Sequence, residues 1–191
     1  MFQLLRYATE LSVIRKQFPS SPVQFTDSPC VIHWLDAMSL LSSSGVDVGD
    51  GMSDLTTSQE LSLGALVKER HGTDFFILDR YPSSVRPFYT MASPQDSRFS
   101  NSYDMFIRGQ EVCSGAQRCH DYESLVASLA RKGIVATEDK GLEAYLASFR
   151  HGMSPHAGAG IGLERVVFLY LGLDNVRKAC MFPRDPNRLS P

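Results

Sequence analysis

Cysteine is scarce in this chain of 191 residues: Cys30, Cys113, Cys119 and Cys180 are the four present, and no two form a Cys-x-x-Cys pair. That spacing speaks against a zinc site or a disulfide framework and leaves reduced thiols as the simplest reading. Long apolar runs are lacking too. The first residues, Met1-Phe2-Gln3-Leu4-Leu5-Arg6, hold neither a continuous apolar stretch nor a spanning segment, so no membrane partner is expected and a cytoplasmic location is. The formal charge of -2 shows no basic excess, so a nucleic-acid partner has to be argued from motifs rather than composition. There is no internal repeat and no low-complexity tract. His33, His71, His120 and His151 have no paired base and no nucleophile at catalytic spacing, which leaves acid/base catalysis by histidine unsupported. Ser114-Gly115 lacks the Gly-x-Ser-x-Gly elbow of a hydrolase. No Gly-Lys-Ser/Thr is present, and Leu163 stands where a dinucleotide fingerprint begun at Gly158 and Gly160 needs glycine.

What the chain does have is 43% apolar residues and 10% aromatics, enough for one domain with a substantial core. Phe2, Leu5, Leu11 and Ile14 give an amphipathic helix ending before Phe18-Pro19, with no cap upstream, as expected of a piece of something longer. Residues 22–25 and 30–33 read as short extended pieces, 34–42 as a helix closed by Gly45, and 47–57 as a polar loop without EF-hand spacing. Ser58 caps an expected helix reaching His71-Gly72; 75–78 is a buried strand and 85–91 another extended piece. Arg108-Gly109 joins two strands as a hairpin, Asp121 caps a helix that Gly133 ends, and 138–149 forms a further helix. Strands and helices mix without regular alternation, so the predicted fold class is α+β, an antiparallel sheet flanked by helices.

Two stretches carry chemistry. In His156-Ala-Gly158-Ala-Gly160-Ile-Gly162-Leu-Glu-Arg165, an extended chain leaves Gly158, Gly160 and Gly162 bare on one face, while Ala157, Ala159 and Ile161 pack on the other. A flat ligand fits against that backbone. Arg165, in the first turn of the helix that follows, is placed to reach a base or a phosphate. His156 has either a ligand-bonding role or a capping or packing one. In the hairpin, a two-residue turn sets Phe106 opposite Glu111 and Asp104 opposite Cys113, with Asp104 and Glu111 on one face. Such a pair either holds a hard cation with substrate phosphates, as magnesium prefers, or lies solvated on the sheet.

The segment from Gly158 to Arg165 resembles motif 3 of class II aminoacyl-tRNA synthetases. Leu173-Asp-Asn175-Val-Arg177 and Met181-Phe-Pro-Arg184-Asp-Pro-Asn-Arg188-Leu-Ser-Pro191 narrow the resemblance to aspartyl-tRNA synthetases of the eukaryotic and archaeal type, although Ala159 stands where glycine is commoner. Ser102-Tyr-Asp104-Met-Phe and Gly109-Gln-Glu111-Val-Cys-Ser114-Gly-Ala-Gln-Arg118 are similar to the segment that precedes motif 3 there. The resemblance implies a ligase that makes aspartyl-adenylate from ATP and L-aspartate and passes the aspartyl group to tRNA. It implies that Asp104 and Glu111 hold ATP-associated Mg2+, that Ser114 and Arg118 contact aspartate, and that Gly158, Gly160, Gly162, Arg165 and Glu111 surround the nucleotide, Arg165 and Glu111 acting in catalysis. For Asp104, Glu111, Ser114 and Arg118 all to face one site, a bulge must break the strand between Glu111 and Ser114. The resemblance also implies that residues 1–191 form the C-terminal part of a catalytic domain, motif 3 lying at about 156–172. The anticodon-binding domain, motif 1 and motif 2 of a homodimeric parent have no counterpart here. Such a chain is expected not to aminoacylate alone, since losing even one preorganised charge contact costs about 100-fold or more in rate.

Overall fold

The computed structural model describes residues 7–135 and 140–189. A five-stranded sheet runs in spatial order β1 (Cys30–His33), β2 (Phe75–Asp79), β3 (Ser102–Ile107), β4 (Gln110–Arg118) and β5 (His156–Ile161). Every neighbouring pair is antiparallel except β1 and β2, which are parallel. The expected antiparallel sheet is therefore mixed. A parallel pair needs a crossover, and helices α2 (Trp34–Ser43) and α3 (Thr57–His71) supply it. Helix α1 (Ala8–Gln17) precedes the sheet, α4 (Tyr122–Arg131) and α5 (Lys140–Arg150) separate β4 from β5, and α6 (Leu163–Leu171) follows β5. Phe2 and Leu5 of the expected first helix, and Glu138 of the penultimate one, lie outside the described residues.

The ends of these elements follow local chemistry. The cap of helix α3 is Thr56, two residues before the expected Ser58, because Thr56 and Gln59 form a capping box, and the helix stops at Gly72 in the left-handed conformation. The Asp121 carboxylate accepts from the Ser124 amide at 2.7 Å and caps α4. Arg108 and Gly109 both take positive φ, 52° and 72°, the backbone of a tight two-residue hairpin turn. Residues 22–25 form no sheet strand; Gln24 is held instead by its backbone groups on Asp74. Residues 85–91 are not extended either, since the Thr90 amide folds back onto the Pro87 carbonyl.

On one face of the sheet Phe76 and Phe106 stack at 4.9 Å and join Trp34, Leu41, Leu63 and Val67 from α2 and α3 in the main core. On the other face α6 packs Leu169 against Ile107 and Val112. Helices α4 and α5 close a third cluster through Leu125, Leu129, Leu146 and Phe149. Helix α3 grips the hairpin so closely that a Cβ on Gly64 would lie 2.4 Å from Gly109 Cα. Ala for Gly in mid-helix gains about 1 kcal/mol of propensity, but overpacking against backbone costs about 1–3 kcal/mol or more. Gly64→Ala should accordingly lower the thermal midpoint; an unchanged or higher midpoint would show that the hairpin yields freely.

Strand β5 departs from expectation in one respect. Ala157, Ala159 and Ile161 lie in the open, Ile161 being 69% exposed, because β5 is the sheet edge and none of the described residues covers that face.

Candidate active site

The register makes a cross-sheet row: Leu78 pairs with Asp104, Asp104 with Ser114, and Ser114 with Gly160. Next to it Ser102, Ala116 and Gly158 form a second row, and Arg118 pairs with His156. Asp104, Ser114, Arg118, Gly158 and Gly160 thus share one sheet face. Glu111 joins them because it pairs with Phe106, whose side chain lies on the Asp104 face. The register shifts between Met105 and Phe106, where Met105 pairs with Cys113 and Val112 is the extra residue. This is the bulge that the site residues require. It also corrects the pairing expected from an unbroken ladder: Asp104 faces Ser114, not Cys113.

The bulge anchors the strand–helix junction as well. Arg165 donates to the Glu111 carbonyl at 2.7 Å and the Gly162 amide to the Val112 carbonyl at 2.9 Å. Arg165 therefore stands in the first turn of α6, as expected, fixed beside Glu111.

The three glycines do unequal things. Gly158 is covered by the Arg118 guanidinium: a Cβ there would meet Nη2 at 2.6 Å. Over Gly160 there is nothing within 4 Å, so only this glycine floors open space. Gly162 is the N-cap of α6 and lies against Arg165 Cβ. His156 bonds Ser154 through Nδ1 at 3.0 Å and packs near the Phe149 ring, a local structural role.

Sequence reasoning missed Arg86. Its Nη2 pairs with Asp104 Oδ2 at 2.7 Å, its Nη1 donates to Ser114 Oγ at 3.2 Å, and its guanidinium lies 3.7 Å over the Tyr81 ring. A lone cation inside the apolar and aromatic run Val85-Arg86-Pro87-Phe88-Tyr89 was the available signal. Burial, and then the adjoining Asp104 carboxylate, push the Tyr81 phenol far above its ordinary range, so it stays neutral. Tyr89 sits with its ring 5.4 Å from the Arg118 guanidinium. Arg86, Tyr89, Ser114, Arg118, Gly158 and Gly160 line a cavity of about 260 Å³. That is just below the usual range for drug-sized ligands, roughly 300–1,000 Å³, and suits an amino acid. Two guanidinium groups and a hydroxyl at its wall suit a carboxylate.

Beside this cavity the acids repel one another. Burial and then Asp104 raise the Glu111 carboxyl, while Arg165 and Arg86 pull it down. Glu60, at the start of α3, is pushed up to about 7 by burial first and then by Glu111, Asp54 and Asp104. Asp104 Oδ1 is buried without a hydrogen-bond partner. Among the described residues no three His, Cys, Asp or Glu side chains converge as a metal cage. The donor set, hard oxygens in a repelling cluster with one orphaned carboxylate atom, fits a divalent cation that takes its remaining ligands from phosphate.

Glu60 carries a testable pH dependence. Its folded-state pKa is the higher one, so as pH rises through about 7 the folded state loses a stabilising proton and stability falls. Glu60→Gln should stabilise the protein at pH 8 by on the order of 1–2 kcal/mol, screening of a half-exposed group allowed for. At pH 4 it should change little. Urea unfolding at both pH values checks this; equal effects at the two would remove Glu60 from the acid cluster.

His33, expected to lack a partner, bonds Asp79 through Nδ1 at 2.5 Å across β1 and β2. It lines none of the cavity described above.

The comparisons with known proteins bear on this arrangement of Asp104, Glu111, Ser114, Arg118 and Arg165. The family model of the class II tRNA synthetases (D, K and N) matches residues 3–186. The chain belongs to that family. The cytoplasmic aspartate–tRNA ligase of Homo sapiens is 50% identical over 186 residues, covering 97% of this chain and 36% of its own length. The aspartyl-tRNA synthetase of Entamoeba histolytica superposes with a TM-score of 0.91 at 48% identity, over 97% of this chain and 37% of the other. The asparaginyl-tRNA synthetase of Pyrococcus horikoshii, complexed with asparaginyl-adenylate, gives 0.75 at 34% identity over 86% of this chain and 36% of the other. The chain thus spans about a third of the length of the relatives it matches. This synthetase chain is α+β, as its sequence led one to expect, and among the described residues no helix is long and apolar enough to cross a membrane.

Proposed function

We propose that this chain is the C-terminal part of the catalytic domain of an aspartate–tRNA ligase, and that it carries the aspartate pocket and part of the ATP site. The observation that carries the reading is Arg118 laid flat on Gly158, at a cavity of amino-acid size that it shares with Ser114. A planar guanidinium bonds both oxygens of a side-chain carboxylate, which lysine cannot do. An asparagine amide would leave those donors unpaired, and buried unpaired donors reject the wrong ligand strongly. Higher identity to the aspartate enzymes than to the asparaginyl one supports the same choice.

Asp104 and Glu111 would hold the ATP-associated Mg2+, which supplies charge neutralisation at the phosphates. Gly160 leaves open floor for the nucleotide, and Arg165, fixed on the Glu111 carbonyl, brings a positive charge to it. The aspartate α-carboxylate attacks the ATP α-phosphate and expels pyrophosphate to give aspartyl-adenylate, and the tRNA terminal ribose hydroxyl then takes the aspartyl group from the mixed anhydride and releases AMP. Neither step asks the protein for a base; both ask for position and fixed charge. The parent would be a cytoplasmic homodimer, in keeping with relatives named cytoplasmic. The alternative, a nucleotide-binding or regulatory paralogue without ligase activity, is disfavoured by the retained Asp104, Glu111, Arg118 and Arg165.

The test is amino-acid-dependent ATP–pyrophosphate exchange by the full-length parent, with aspartate and asparagine compared. Aspartate should support exchange and asparagine should not, while the 191-residue chain alone should show no aminoacylation. Exchange driven by asparagine would overturn the assignment of Arg118, and no exchange with either amino acid would favour the paralogue.

A further inference from the structure

A larger cavity, about 570 Å³, lies behind the segment that walls the candidate aspartate pocket. Pro87 and Thr90 line both cavities, so one short piece of backbone separates them. Helix α4 is two-sided at this point. Leu125 and Leu129 face the third core cluster, whereas Ser124, Ala127, Ser128 and Arg131, spaced for one helical face, line the cavity. Small and polar side chains on a face turned toward a protein wall keep that space open.

Four observations define what fits. On the wall Thr90 is 8% exposed and its hydroxyl has no hydrogen-bond partner, and His120 Nδ1 is likewise buried without one. Arg131 and Lys132 bring two positive charges, and Lys132 Nζ bridges the rim by donating to the Ser83 and Ser84 carbonyls. The one carboxylate among the lining residues, Asp121, caps α4 and stays ionised, so it offsets one of these charges and leaves the lining with a net positive charge. Among the described residues no Phe, Tyr or Trp lines the cavity, so none of them stacks on a nucleobase there. Hydroxyls from Ser97, Ser124 and Ser128 offer donors and acceptors instead, and those of Ser83 and Ser84, which donate to the Ser97 and Met52 carbonyls, offer acceptors.

From this hydroxyl-lined cavity of net positive charge on the rear of the 87–90 wall, we infer that the protein binds a small phosphate monoester of a polyol there. Arg131 and Lys132 take the phosphate and the serines take the hydroxyls. A ligand so placed presses on the back of the segment whose front carries Arg86 and Tyr89, and that segment is tied to β4 by the Met91 amide on the Gln117 carbonyl and the Cys119 amide on the Tyr89 carbonyl. Occupancy therefore shifts amino-acid affinity at the front, a consequence that rests on the reading of the front cavity as the aspartate pocket.

The test is an amide-resolved NMR titration of the chain with glycerol 3-phosphate, with glycerol and inorganic phosphate as separate arms. Saturable shifts should cluster at Ser83, Ser84, Thr90, Ser124 and Ser128, strongest with the monoester and missing with glycerol. Arg131→Met and Lys132→Met should each weaken binding about tenfold, as loss of a charge-assisted bond does. Ala127→Leu, at an exposed helical position, should block the cavity without unfolding the chain. Shifts scattered over the surface, or unchanged by Ala127→Leu, would overturn the site, as would inorganic phosphate binding as tightly as the monoester. Repeating the titration on the full-length parent guards against a segment of the parent filling the cavity, and loss of binding there would also overturn it. Because the rear amides report binding directly, these outcomes are independent of whether the front pocket takes aspartate.

Discussion

Replacing Arg86 by methionine should lower stability by about 3–5 kcal/mol, the range for removing one member of a buried ion pair. The Arg86 and Asp104 side chains are 13% and 5% exposed and meet at 2.7 Å, so the loss leaves a carboxylate buried with no counter-charge. Methionine keeps most of the volume stacked on Tyr81, which isolates the charge effect from packing. Asp104→Asn in the same background should restore much of the loss, because the neutral amide no longer needs a cation. Denaturant unfolding of wild type, both single variants and the double variant closes the cycle. Strictly additive losses would mean the pair is not the source and the cost lies in the Tyr81 contact. With a typical domain stability of about 5–15 kcal/mol, the single Arg86 variant stands close to unfolding.

Arg86 also shows why part of the site was hidden in the sequence. Residues 85–91 alternate well enough to read as a strand, but Pro87 accepts from Thr90 and bends the segment into turns that swing Arg86 over Asp104. A lone arginine gives no sign of which carboxylate it will find. Glu60 was hidden for a similar reason. It comes near Glu111 only because two glycines, Gly64 and Gly109, let α3 and the hairpin touch backbone to backbone. The parallel pairing of β1 and β2 was equally unreadable, since strands of four and five residues carry no mark of direction.

Other features were legible because a single residue decided each. Arg108-Gly109 made the turn, Asp121 began one helix and Gly72 ended another, and Arg165 fell in the first turn of α6. The bulge at Val112 was legible from function rather than propensity: Glu111 and Ser114 are three apart, and only an extra residue lets both face Asp104. The edge position of β5 was not legible, which is why Ala157, Ala159 and Ile161 were expected to pack and instead stand exposed.

The decisive substitution is at Arg118. In isothermal titration with a non-hydrolysable aspartyl-adenylate analogue and magnesium, Arg118→Ala should weaken binding by about 100-fold, the loss of a bidentate charge-assisted contact in a small cavity. Arg118→Lys keeps the charge without the planar fork and should fall between, at about tenfold. Gly158→Ala reaches the same group from outside: its methyl would sit 2.6 Å from Nη2 and push the guanidinium off the strand. Because β5 lies at the exposed edge, that change should cost affinity while barely moving the thermal midpoint. An asparaginyl-adenylate analogue, already poorly bound, should be much less sensitive to all three. If Arg118→Ala binds the aspartyl analogue as tightly as wild type, the carboxylate is read elsewhere, and Arg86 at the opposite wall becomes the residue to test. If wild type itself fails to bind at high micromolar concentration, the cavity needs the remaining two-thirds of the parent to close over its ligand, and the same variants belong in the full-length enzyme.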